Sequence, residues 1–284
     1  MSLKPLSIGH SPDADDAFMF YGLASGRVRV DGYAVQHVLE DIESLNQRAK
    51  QGELDVTAIS AAVYPHVADA YRIMSCGASV GRRYGPIVLA RAPFAPGDLV
   101  GKRIAVPGAD TTAYVLLRLY VPAPFTPVMM DFERVMDAVG SGEVDAGVVI
   151  HEGQLTWTST ELCRVIDLGA AWTDDTGLPI PLGLDVVRRG LGESTMVAVA
   201  RALKDSIVYA RSHEDEAIDY AMGFGRGVER ETCRTFVRMY VNQDTVDMGQ
   251  EGRRALETLY ARAVARGILA EAPKLDILQA SAPF

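Results

Sequence analysis

The chain has 284 residues, which is enough for about two domains. Hydrophobic residues make up 48% of it, an ordinary share for a globular protein that buries a sizeable core in each half. The formal net charge of −9 argues against a nucleic-acid-binding protein, which usually carries a basic face. An anionic ligand is not excluded, because hydrogen-bond donors inside a cleft outweigh the net charge locally.

The cysteines and histidines have no spacing typical of a metal site or a disulfide framework. The three cysteines stand far apart, and the five histidines form no HExxH pair. We therefore expect a protein without metal, from a reducing compartment. The N-terminal segment has no long apolar stretch of the kind found in signal peptides, which predicts cytoplasmic localisation. No run reaches the roughly 18 apolar residues that a membrane span needs.

The chain begins with a predicted strand, a polar turn and an apolar helix. The strand covers 6–9, the turn 11–16 and the helix 17–24. Carboxylates in this turn would repel an anion and suit a hydroxyl-rich ligand, and capping of the helix is the alternative, favoured for Asp16. Further strands are predicted over residues 35–39, 55–60, 71–75, 85–90 and 103–107. Helices are predicted over residues 41–51 and 63–70.

A second polar turn precedes the helix predicted from Ala113 onward. Thr111 and Thr112 place two hydroxyl groups at the N-terminus of that helix. Free backbone N–H groups at such a position bind a carboxylate, and a threonine there also serves as a plain N-cap. The sequence leaves both roles open.

The stretch from Asp145 to Gly153 combines a short apolar run with a histidine and a glutamate. The run predicts a strand that is buried on both faces, as in a parallel sheet. His151 and Glu152 follow where the strand ends, and ligands of open α/β sheets bind at the carboxyl ends of strands. An imidazole is well suited to moving protons near neutral pH, so His151 is a candidate catalytic base. A loop histidine that caps a backbone carbonyl is the alternative.

The sequence also contains an internal repeat with an offset of 90 residues. Residues 41–56 align without gaps on residues 131–146, and Asp, Glu, Gly, Glu and Asp recur in register. Each copy predicts a helix, a glycine at which the helix ends, and a strand. We therefore predict two similar α/β lobes whose polar turns and strand ends face one cleft, with Ser60 closing the strand of the first copy.

The rest of the chain predicts one strand over 162–168, a proline-rich edge or crossing strand over 176–183, and a helical C-terminal region. The predicted helices cover 193–212, a segment after Ser212, 231–241 and 249–266. The expected fold class is α/β, with two lobes and two hinge crossings. Lobe 1 would comprise 1–90 and 188–284, and lobe 2 would comprise 91–187, with the ligand cleft between them.

Six stretches carry a resemblance to a known family. They are Ser11-Pro12-x-x-x-Asp16-x-Phe18, Gly81-x-x-x-Gly85-Pro86, Gly108-x-x-Thr111-Thr112-Ala113, Ile150-His151-Glu152-Gly153, Thr176-Gly-Leu-Pro-Ile-Pro-Leu-Gly183 and Tyr240-Val-Asn242. In their order and spacing, over nearly the whole chain, they resemble the menaquinone-biosynthesis enzymes of the futalosine pathway. The histidine and proline motifs look most like the 1,4-dihydroxy-6-naphthoate synthases. The sister chorismate dehydratases share the fold and match these two motifs less well.

The resemblance implies a type II periplasmic-binding-protein-like fold and a lyase that needs no cofactor. The implied substrate is cyclic dehypoxanthinylfutalosine, an aromatic carboxylic acid with a sugar-derived ring, and the product is 1,4-dihydroxy-6-naphthoate. His151 matches the family's catalytic base. The residues implied in substrate binding are Ser11, Asp13, Asp15, Ser60, Thr111, Thr112 and Glu152.

The first motif departs from the family pattern, which reads Ser-Pro-Cys-Pro-Asn-Asp-Thr-Phe. Asp15 replaces the asparagine, and an ionised aspartate only accepts hydrogen bonds where an asparagine also donates them. Asp13 makes the turn still more negative, so the exact substrate stays open. A solute-binding protein for a small organic acid is the alternative function, because the fold alone does not separate it from an enzyme. The expected partner is a small aromatic carboxylate, with no nucleic acid, and the sequence leaves a homodimer open.

Overall fold

The computed structural model describes residues 3–225 and 227–280. Strands and helices alternate through the first two thirds of the chain, as the alternating apolar runs and glycine-containing turns predict. The elements up to the middle of the chain are β1 (Lys4–His10), α1 (Ala14–Ala24), β2 (Tyr33–Leu39), α2 (Ile42–Gln51), β3 (Val56–Ser60), α3 (Tyr64–Val67), β4 (Tyr71–Met74), β5 (Ser79–Gly81), β6 (Ile87–Ala90), β7 (Arg103–Val106), α4 (Thr112–Tyr120) and β8 (Thr126–Met129).

The alternation continues to a long strand, after which the chain is almost entirely helical. These elements are α5 (Val135–Ser141), β9 (Ala146–Val149), α6 (Gly153–Thr156), β10 (Cys163–Asp167), α7 (Leu168–Thr176), β11 (Ile180–Arg188), α8 (Glu193–Ser212), α9 (Glu214–Ala221), α10 (Arg230–Tyr240), α11 (Gln243–Val246), α12 (Gly249–Ala265) and β12 (Ile277–Leu278). Within the described ranges, no helix has both the length and the apolar character needed to cross a membrane.

The chain divides into two compact units, each with its own sheet. Unit 1 comprises the residues up to Val80, Gly183–Arg253 and those from Pro273 onward, and unit 2 comprises Gly81–Leu182 and Arg254–Ala272. The units thus change near residues 80, 182, 253 and 272, whereas the predicted lobes change only at 90 and 187. Residues 254–272, which the prediction assigned to lobe 1, belong to unit 2. The difference at the first crossing has a simple cause, because β6 pairs with β9 and β10 in the sheet of unit 2.

The sheet of unit 1 is mixed and has the strand order β12-β4-β11-β3-β1-β2, with β5 paired to β11. β1 runs parallel to both β2 and β3, and β11 runs antiparallel to β3 and β4. Helix α1 packs against α8, α9 and α10. The proline-rich stretch is therefore no edge strand, because its continuation as β11 lies inside the sheet. Pro181 precedes Gly183, where the ladder with β3 begins.

The sheet of unit 2 has the strand order β10-β6-β9-β7-β8. The apolar run before His151 forms β9, all four of whose residues are buried, as predicted. The sheet is not purely parallel, since β9 pairs parallel with β7 and antiparallel with β6. Apolar side chains of β6, β7, β9 and α5 form the core of this unit.

Both copies of the predicted repeat fold in the same way. Each begins at an aspartate whose side chain accepts the backbone N–H two residues later, at 3.0 Å for Asp41 and 2.9 Å for Asp131. Each helical segment ends at a glycine with a left-handed backbone, φ 68° at Gly52 and 84° at Gly142. A buried strand then follows in each copy. The repeat is therefore structural, with one copy in each unit.

One predicted helix boundary was wrong, and one helix was missed. Helix α1 begins at Ala14 rather than Ala17, because the side chain of Asp13 caps it. Helix α7 was not predicted at all. It is capped by Asp167 and anchored by Trp172, which is fully buried and donates its indole N–H to the carbonyl oxygen of Pro179 at 2.9 Å.

Candidate active site

In unit 1, Ser11 and Ser60 lie at the same edge of the sheet. Ser11 directly follows β1, and Ser60 is the last residue of β3. The two strands are parallel neighbours, with Ile8 opposite Val56. Since parallel strands end at one edge, this edge carries the unit 1 residues that the sequence singled out, and it is the edge at which open α/β sheets bind ligands.

The turn after β1 is closed by two hydrogen bonds between its own residues. The backbone N–H of Ser11 donates to Oδ2 of Asp16 at 2.7 Å, and the N–H of Asp16 donates to Oδ1 of Asp13 at 3.3 Å. Asp13, rather than Asp16, is thus the N-cap of α1. Asp13 and Asp15 are both buried. The hydroxyl of Ser11 is also buried and has no hydrogen-bond partner among the described residues.

A pair of histidines supports this turn from the strand side. Nδ1 of His10 lies 3.2 Å from the carbonyl oxygen of Ser11, and Nε2 of His10 lies 3.0 Å from Nδ1 of His37. The His10 ring stacks on Phe20 with a centroid distance of 4.4 Å. Burial, together with the neighbouring His37, lowers the pKa of His10 to about 4. His10 is therefore neutral at neutral pH, and a proton on its Nδ1 lets it donate to Ser11.

Ser60 is held by Asn46, a fully buried residue of α2. The N–H of Ser60 donates to Oδ1 of Asn46 at 2.8 Å, and Nδ2 of Asn46 donates to the Ser60 hydroxyl at 3.1 Å. Because Asn46 supplies a proton to this hydroxyl, the hydroxyl's own proton is free to point to another acceptor. These two hydrogen bonds orient the Ser60 hydroxyl as a potential hydrogen-bond donor at the end of β3.

In unit 2, the N-terminus of α4 combines a capping threonine with a second buried threonine. The Thr111 hydroxyl donates to the carbonyl oxygen of Gly108 at 2.9 Å and accepts the N–H of Tyr114 at 3.3 Å. The Thr112 hydroxyl donates to the carbonyl oxygen of Leu182 at 2.7 Å. Both hydroxyl protons are thus used within the unit. An anion at the N-terminus of α4 would therefore be bound chiefly by the backbone N–H groups and the helix dipole.

His151 follows β9 with an unusual backbone conformation. Its φ is 53°, and Arg83 is the other non-glycine residue with positive φ in the described chain. Its ring meets Phe132 edge-on, with a centroid distance of 4.6 Å. A left-handed residue outside glycine costs about 1–2 kcal/mol, so the surroundings must hold it in place.

The residues after His151 pack tightly onto the end of β9. A Cβ atom at Gly153 would lie 2.4 Å from Cγ1 of Val149, so only glycine fits there without a shift. The Glu152 side chain is buried. Like Thr111, which follows β7, His151 lies at the carboxyl edge of two parallel neighbours, since β7 and β9 pair with Ile104 opposite Ala146. The structure thus brings the unit 2 residues to one edge of their sheet.

Each unit therefore carries half of the predicted site residues. Unit 1 has Ser11, Asp13, Asp15 and Ser60, and unit 2 has Thr111, Thr112, His151 and Glu152. The sequence reasoning missed Asn46, His10 and Phe132, which touch these residues. For Asn46 a signal existed, because a polar residue on the apolar face of α2 indicates a buried partner.

Arg83 and Trp172 have structural roles in unit 2. Arg83 forms an ion pair with Asp174, 2.7 Å from Nη1 to Oδ1, in which both side chains are more than half exposed. Trp172 packs in the core rather than presenting a ring to solvent. Neither residue adds to the candidate site.

The chain is similar over most of its length to proteins of menaquinone biosynthesis. The sequence model of a family described as menaquinone biosynthesis matches residues 6–265. A 1,4-dihydroxy-6-naphthoate synthase of Thermus thermophilus is 42% identical over 96% of this chain and 98% of its own. A synthase of the same name from Streptomyces coelicolor is 38% identical over 95% and 96% of the two chains.

Solved structures show the fold. Protein AF1704 of Archaeoglobus fulgidus has 47% sequence identity and a TM-score of 0.89, covering 93% of this chain and 98% of its own. The alkanesulfonate-binding protein SsuA of Xanthomonas axonopodis has 13% identity and a TM-score of 0.73, covering 98% and 99%. The fold is therefore that of periplasmic binding proteins, as predicted. By its sequence, the chain belongs to the menaquinone biosynthesis family.

Proposed function

We propose that this protein is a 1,4-dihydroxy-6-naphthoate synthase that converts cyclic dehypoxanthinylfutalosine without a cofactor. The support is the identity of 42% and 38% to synthases of that name over nearly the whole chain. In this proposal the protein is a carbon–carbon lyase. It releases a small sugar-derived fragment and leaves the naphthoate. Action in the cytoplasm stays a prediction.

His151 is the proposed catalytic base, and its backbone is the observation that carries the assignment. A left-handed φ of 53° at a non-glycine residue is retained only where the surroundings over-determine it, and such residues cluster at active sites. The imidazole would accept the proton whose removal starts the elimination. Phe132, which meets the ring edge-on at 4.6 Å, limits its rotation.

The other site residues are proposed to bind the two ends of the substrate. The N-terminus of α4 suits the carboxylate, because its N–H groups and dipole favour negative charge. The Ser60 hydroxyl, oriented by Asn46, is a further donor to an oxygen of the substrate. Asp13 and Asp15 suit the hydroxyl groups of the sugar-derived ring, since ionised carboxylates only accept hydrogen bonds.

The test is turnover of cyclic dehypoxanthinylfutalosine, followed by the appearance of the naphthoate chromophore. The wild type should form product, and His151→Ala should lose at least a hundredfold in kcat, the typical contribution of a general base. The control is His66→Ala, which removes an exposed histidine of the chain and should leave turnover unchanged. Substrate binding by His151→Ala, measured by calorimetry, should stay close to that of the wild type.

Other results would assign a different function. Turnover of chorismate instead of the futalosine derivative would indicate the sister dehydratase. Binding of the compound without turnover by the wild type would indicate a solute-binding protein, a function supported only by the shared fold. Full activity of His151→Ala would remove His151 from the mechanism and leave the reaction to another residue.

A further inference from the structure

The turn after β1 is hydrogen-bonded to a chain of two histidines. Nε2 of His10 lies 3.0 Å from Nδ1 of His37, and Nδ1 of His10 lies 3.2 Å from the carbonyl oxygen of Ser11. His10 is the last residue of β1, and His37 lies on the neighbouring strand β2, at the edge of the sheet. Nε2 of His37 is buried and has no hydrogen-bond partner among the residues described. All three residues belong to unit 1.

The groups at the two ends of this chain decide where its protons lie. A carbonyl oxygen only accepts, so Nδ1 of His10 must carry a proton to donate to Ser11. In a neutral ring Nε2 is then bare, and it accepts the proton on Nδ1 of His37. This arrangement leaves Nε2 of His37 bare as well, which suits a buried atom without a partner. The opposite direction would place a bare nitrogen against the Ser11 oxygen and bury an N–H without an acceptor, which is unfavourable.

The same contacts are incompatible with a positive charge on the pair. A third ring proton would occupy Nε2 of His37, for which the described residues provide no acceptor. Burial, then the neighbouring His37, lower the pKa of His10 to about 4, although the Ser11 carbonyl and Asp13 act in the opposite direction. Burial also lowers the pKa of His37. Both rings are therefore neutral at neutral pH, in agreement with the direction of the hydrogen bonds.

The chain holds the backbone of Ser11. Because Pro12 has no N–H, the Ser11 carbonyl oxygen is the only hydrogen-bonding group of the peptide between them, and His10 is bonded to it. The preceding peptide is held by Asp16, whose Oδ2 accepts the Ser11 N–H at 2.7 Å. Phe20 stacks on the His10 ring at 4.4 Å and restricts its rotation. Both peptide groups of Ser11 are thus fixed, while its buried hydroxyl has no partner among the described residues.

We propose that His10 and His37 are positioning residues for the substrate-binding turn. His37 donates to His10, His10 donates to the carbonyl oxygen of Ser11, and this chain holds the Ser11 hydroxyl in the orientation that binds the substrate. The unpartnered hydroxyl then meets an oxygen of the substrate as donor or acceptor. This inference rests on the proposed function for its substrate. The direction of the chain and its hold on Ser11 are measurable without any ligand.

The first measurement is nuclear magnetic resonance of the protein labelled with nitrogen-15 histidine, at neutral pH. Protonated and bare ring nitrogens differ in chemical shift, and the signals are assigned by their loss in His10→Phe and His37→Asn. We expect both rings to be neutral with the proton on Nδ1, since the hydrogen bond at one nitrogen sets the state of the other. A proton on Nε2 of His10 would reverse the chain and overturn the inference.

The second measurement is hydrogen exchange of the Ser11 backbone N–H in the wild type, His10→Phe and His66→Phe. Phenylalanine keeps the stacked ring and removes both hydrogen bonds of His10, and His66→Phe makes the same change at an exposed histidine of unit 1. Relative to the Ser60 N–H of the same sheet, we expect exchange at Ser11 to accelerate about tenfold in His10→Phe and to stay unchanged in His66→Phe. Equal acceleration at Ser11 and Ser60 would mean that His10 stabilises the whole unit and does not hold the turn.

The third measurement is KM and kcat, with a matched pair of variants at His37. His37→Asn keeps an N–H donor near the position of Nδ1, and His37→Leu has a similar shape without a donor. We expect KM close to that of the wild type for His37→Asn, and about two- to fivefold higher for His37→Leu, with smaller changes in kcat. His10→Phe should raise KM about three- to tenfold. Should His10→Phe fold poorly, the pair at His37 decides the question.

The Ser11 hydroxyl is tested by combining His10→Phe with Ser11→Ala. If His10 acts through this hydroxyl, His10→Phe should change KM by less than about twofold once the hydroxyl is absent. Independent effects of the two substitutions, or equal KM values for His37→Asn and His37→Leu, would contradict the inference.

Failure of the proposed function is distinguishable from failure of this inference. If the wild type binds the compound without turning it over, the proposed function fails and the calorimetric Kd replaces KM in every comparison. If the wild type does not bind it, the ring protons and the exchange at Ser11 decide whether the two histidines hold the turn.

Discussion

The two copies of the repeat, residues 41–56 and 131–146, have the same scaffold, but the strands that they begin end in different chemistry, at Ser60 and at His151. In each copy an aspartate before the strand receives a backbone N–H from the neighbouring parallel strand, Ser7 to Asp55 at 3.0 Å and Arg103 to Asp145 at 2.8 Å. Capping aspartates, left-handed glycines and these strand contacts recur at equivalent positions. The recurring residues are therefore those that build the helix, its end and the strand.

The strand ends differ between the copies. In unit 1 the strand ends at Ser60, held by Asn46, and the chain continues into a right-handed 3-10 turn at Ala61. The equivalent positions in unit 2 are Ile150 and Met136, followed by His151 in the left-handed region. One scaffold thus presents an oriented donor in unit 1 and a constrained imidazole in unit 2. In the proposed function, substrate binding is assigned to the strand end of the first copy and proton transfer to that of the second.

The largest effect on stability should come from making the first copy resemble the second. Asn46→Met leaves the N–H and the hydroxyl of Ser60 buried without their partner. Each unsatisfied group costs about 1–3 kcal/mol, so we expect the free energy of unfolding to fall by about 2–4 kcal/mol. Urea denaturation measures this loss, and the KM for the substrate should rise as well.

The control for this prediction is a substitution of Met136, which occupies the equivalent position in the second copy. Met136→Leu exchanges one partly buried apolar side chain for another and should cost less than about 1.5 kcal/mol. Equal losses of unfolding free energy for the two substitutions would show that the Asn46–Ser60 hydrogen bonds contribute no more than an ordinary apolar contact. The strand end of unit 1 would then not be distinguished by these bonds.

Much of this scaffold could be predicted from sequence, because local patterns encode it. The spacing of aspartates and glycines predicted the repeat. The apolar run followed by a histidine predicted the strand end at His151. Helix α8 was predicted with its observed limits, since apolar residues recur along it with helical spacing. The strand end at Ser60 and the helix start at Thr111 and Thr112 were likewise predicted, because strand ends and helix starts have local signals.

What could not be predicted depends on contacts between distant segments. Asn46 meets Ser60 only once α2 packs on β3, and Asp185 becomes buried only once β11 enters the sheet. Helix α7 contains Gly169 and several threonines and aspartates, which have low helix propensity. Its cap and the buried Trp172 override that preference, and neither effect is visible without the fold.

The second prediction compares the two aspartates that precede the strands. Asp55 also receives a hydrogen bond from the Arg188 guanidinium. Although burial alone would raise its pKa, the hydrogen bonds from Arg188 and Ser7 hold it below the usual value. We expect Asp55→Asn to cost about 1–2 kcal/mol at pH 6, a modest value because Arg188 is 40% exposed. Asp145→Asn, which keeps an acceptor for the Arg103 N–H, should cost less than about 1 kcal/mol.

The pH dependence of this difference follows from the direction of the Asp55 shift. A pKa lowered in the folded state contributes stability that is complete above the unfolded value, about 4, and is lost as pH falls through the folded value. The difference between wild type and Asp55→Asn should therefore shrink between pH 5 and pH 2 in urea titrations. A difference that stays constant over this range would mean that Arg188 stabilises Asp55 no more than water does.

The smallest effect should come from the glycines that end the two helical segments. Alanine at Gly52 or Gly142 must adopt a left-handed backbone, which costs about 1 kcal/mol at each site. Around Gly52 an added Cβ meets nothing within 4 Å, but at Gly142 it would lie 3.2 Å from the guanidinium of Arg91. Gly142→Ala should therefore cost more than Gly52→Ala in urea denaturation.

Gly142→Ala should cost more than Gly52→Ala because Arg91 bonds to the backbone on both sides of Gly142. Its Nη1 donates to the carbonyl oxygens of Val139 and Val144, at 2.6 and 2.9 Å, on either side of the glycine. The control is Gly140→Ala, two residues earlier in α5, where φ is not positive and the space is open, so alanine should be neutral or stabilising by up to about 1 kcal/mol. If Gly52→Ala and Gly140→Ala have the same effect, the left-handed helix end is not what the repeat preserves at this position. A larger loss at Gly142 than at Gly52 would instead show that the second copy, which positions His151, has the more tightly constrained helix end.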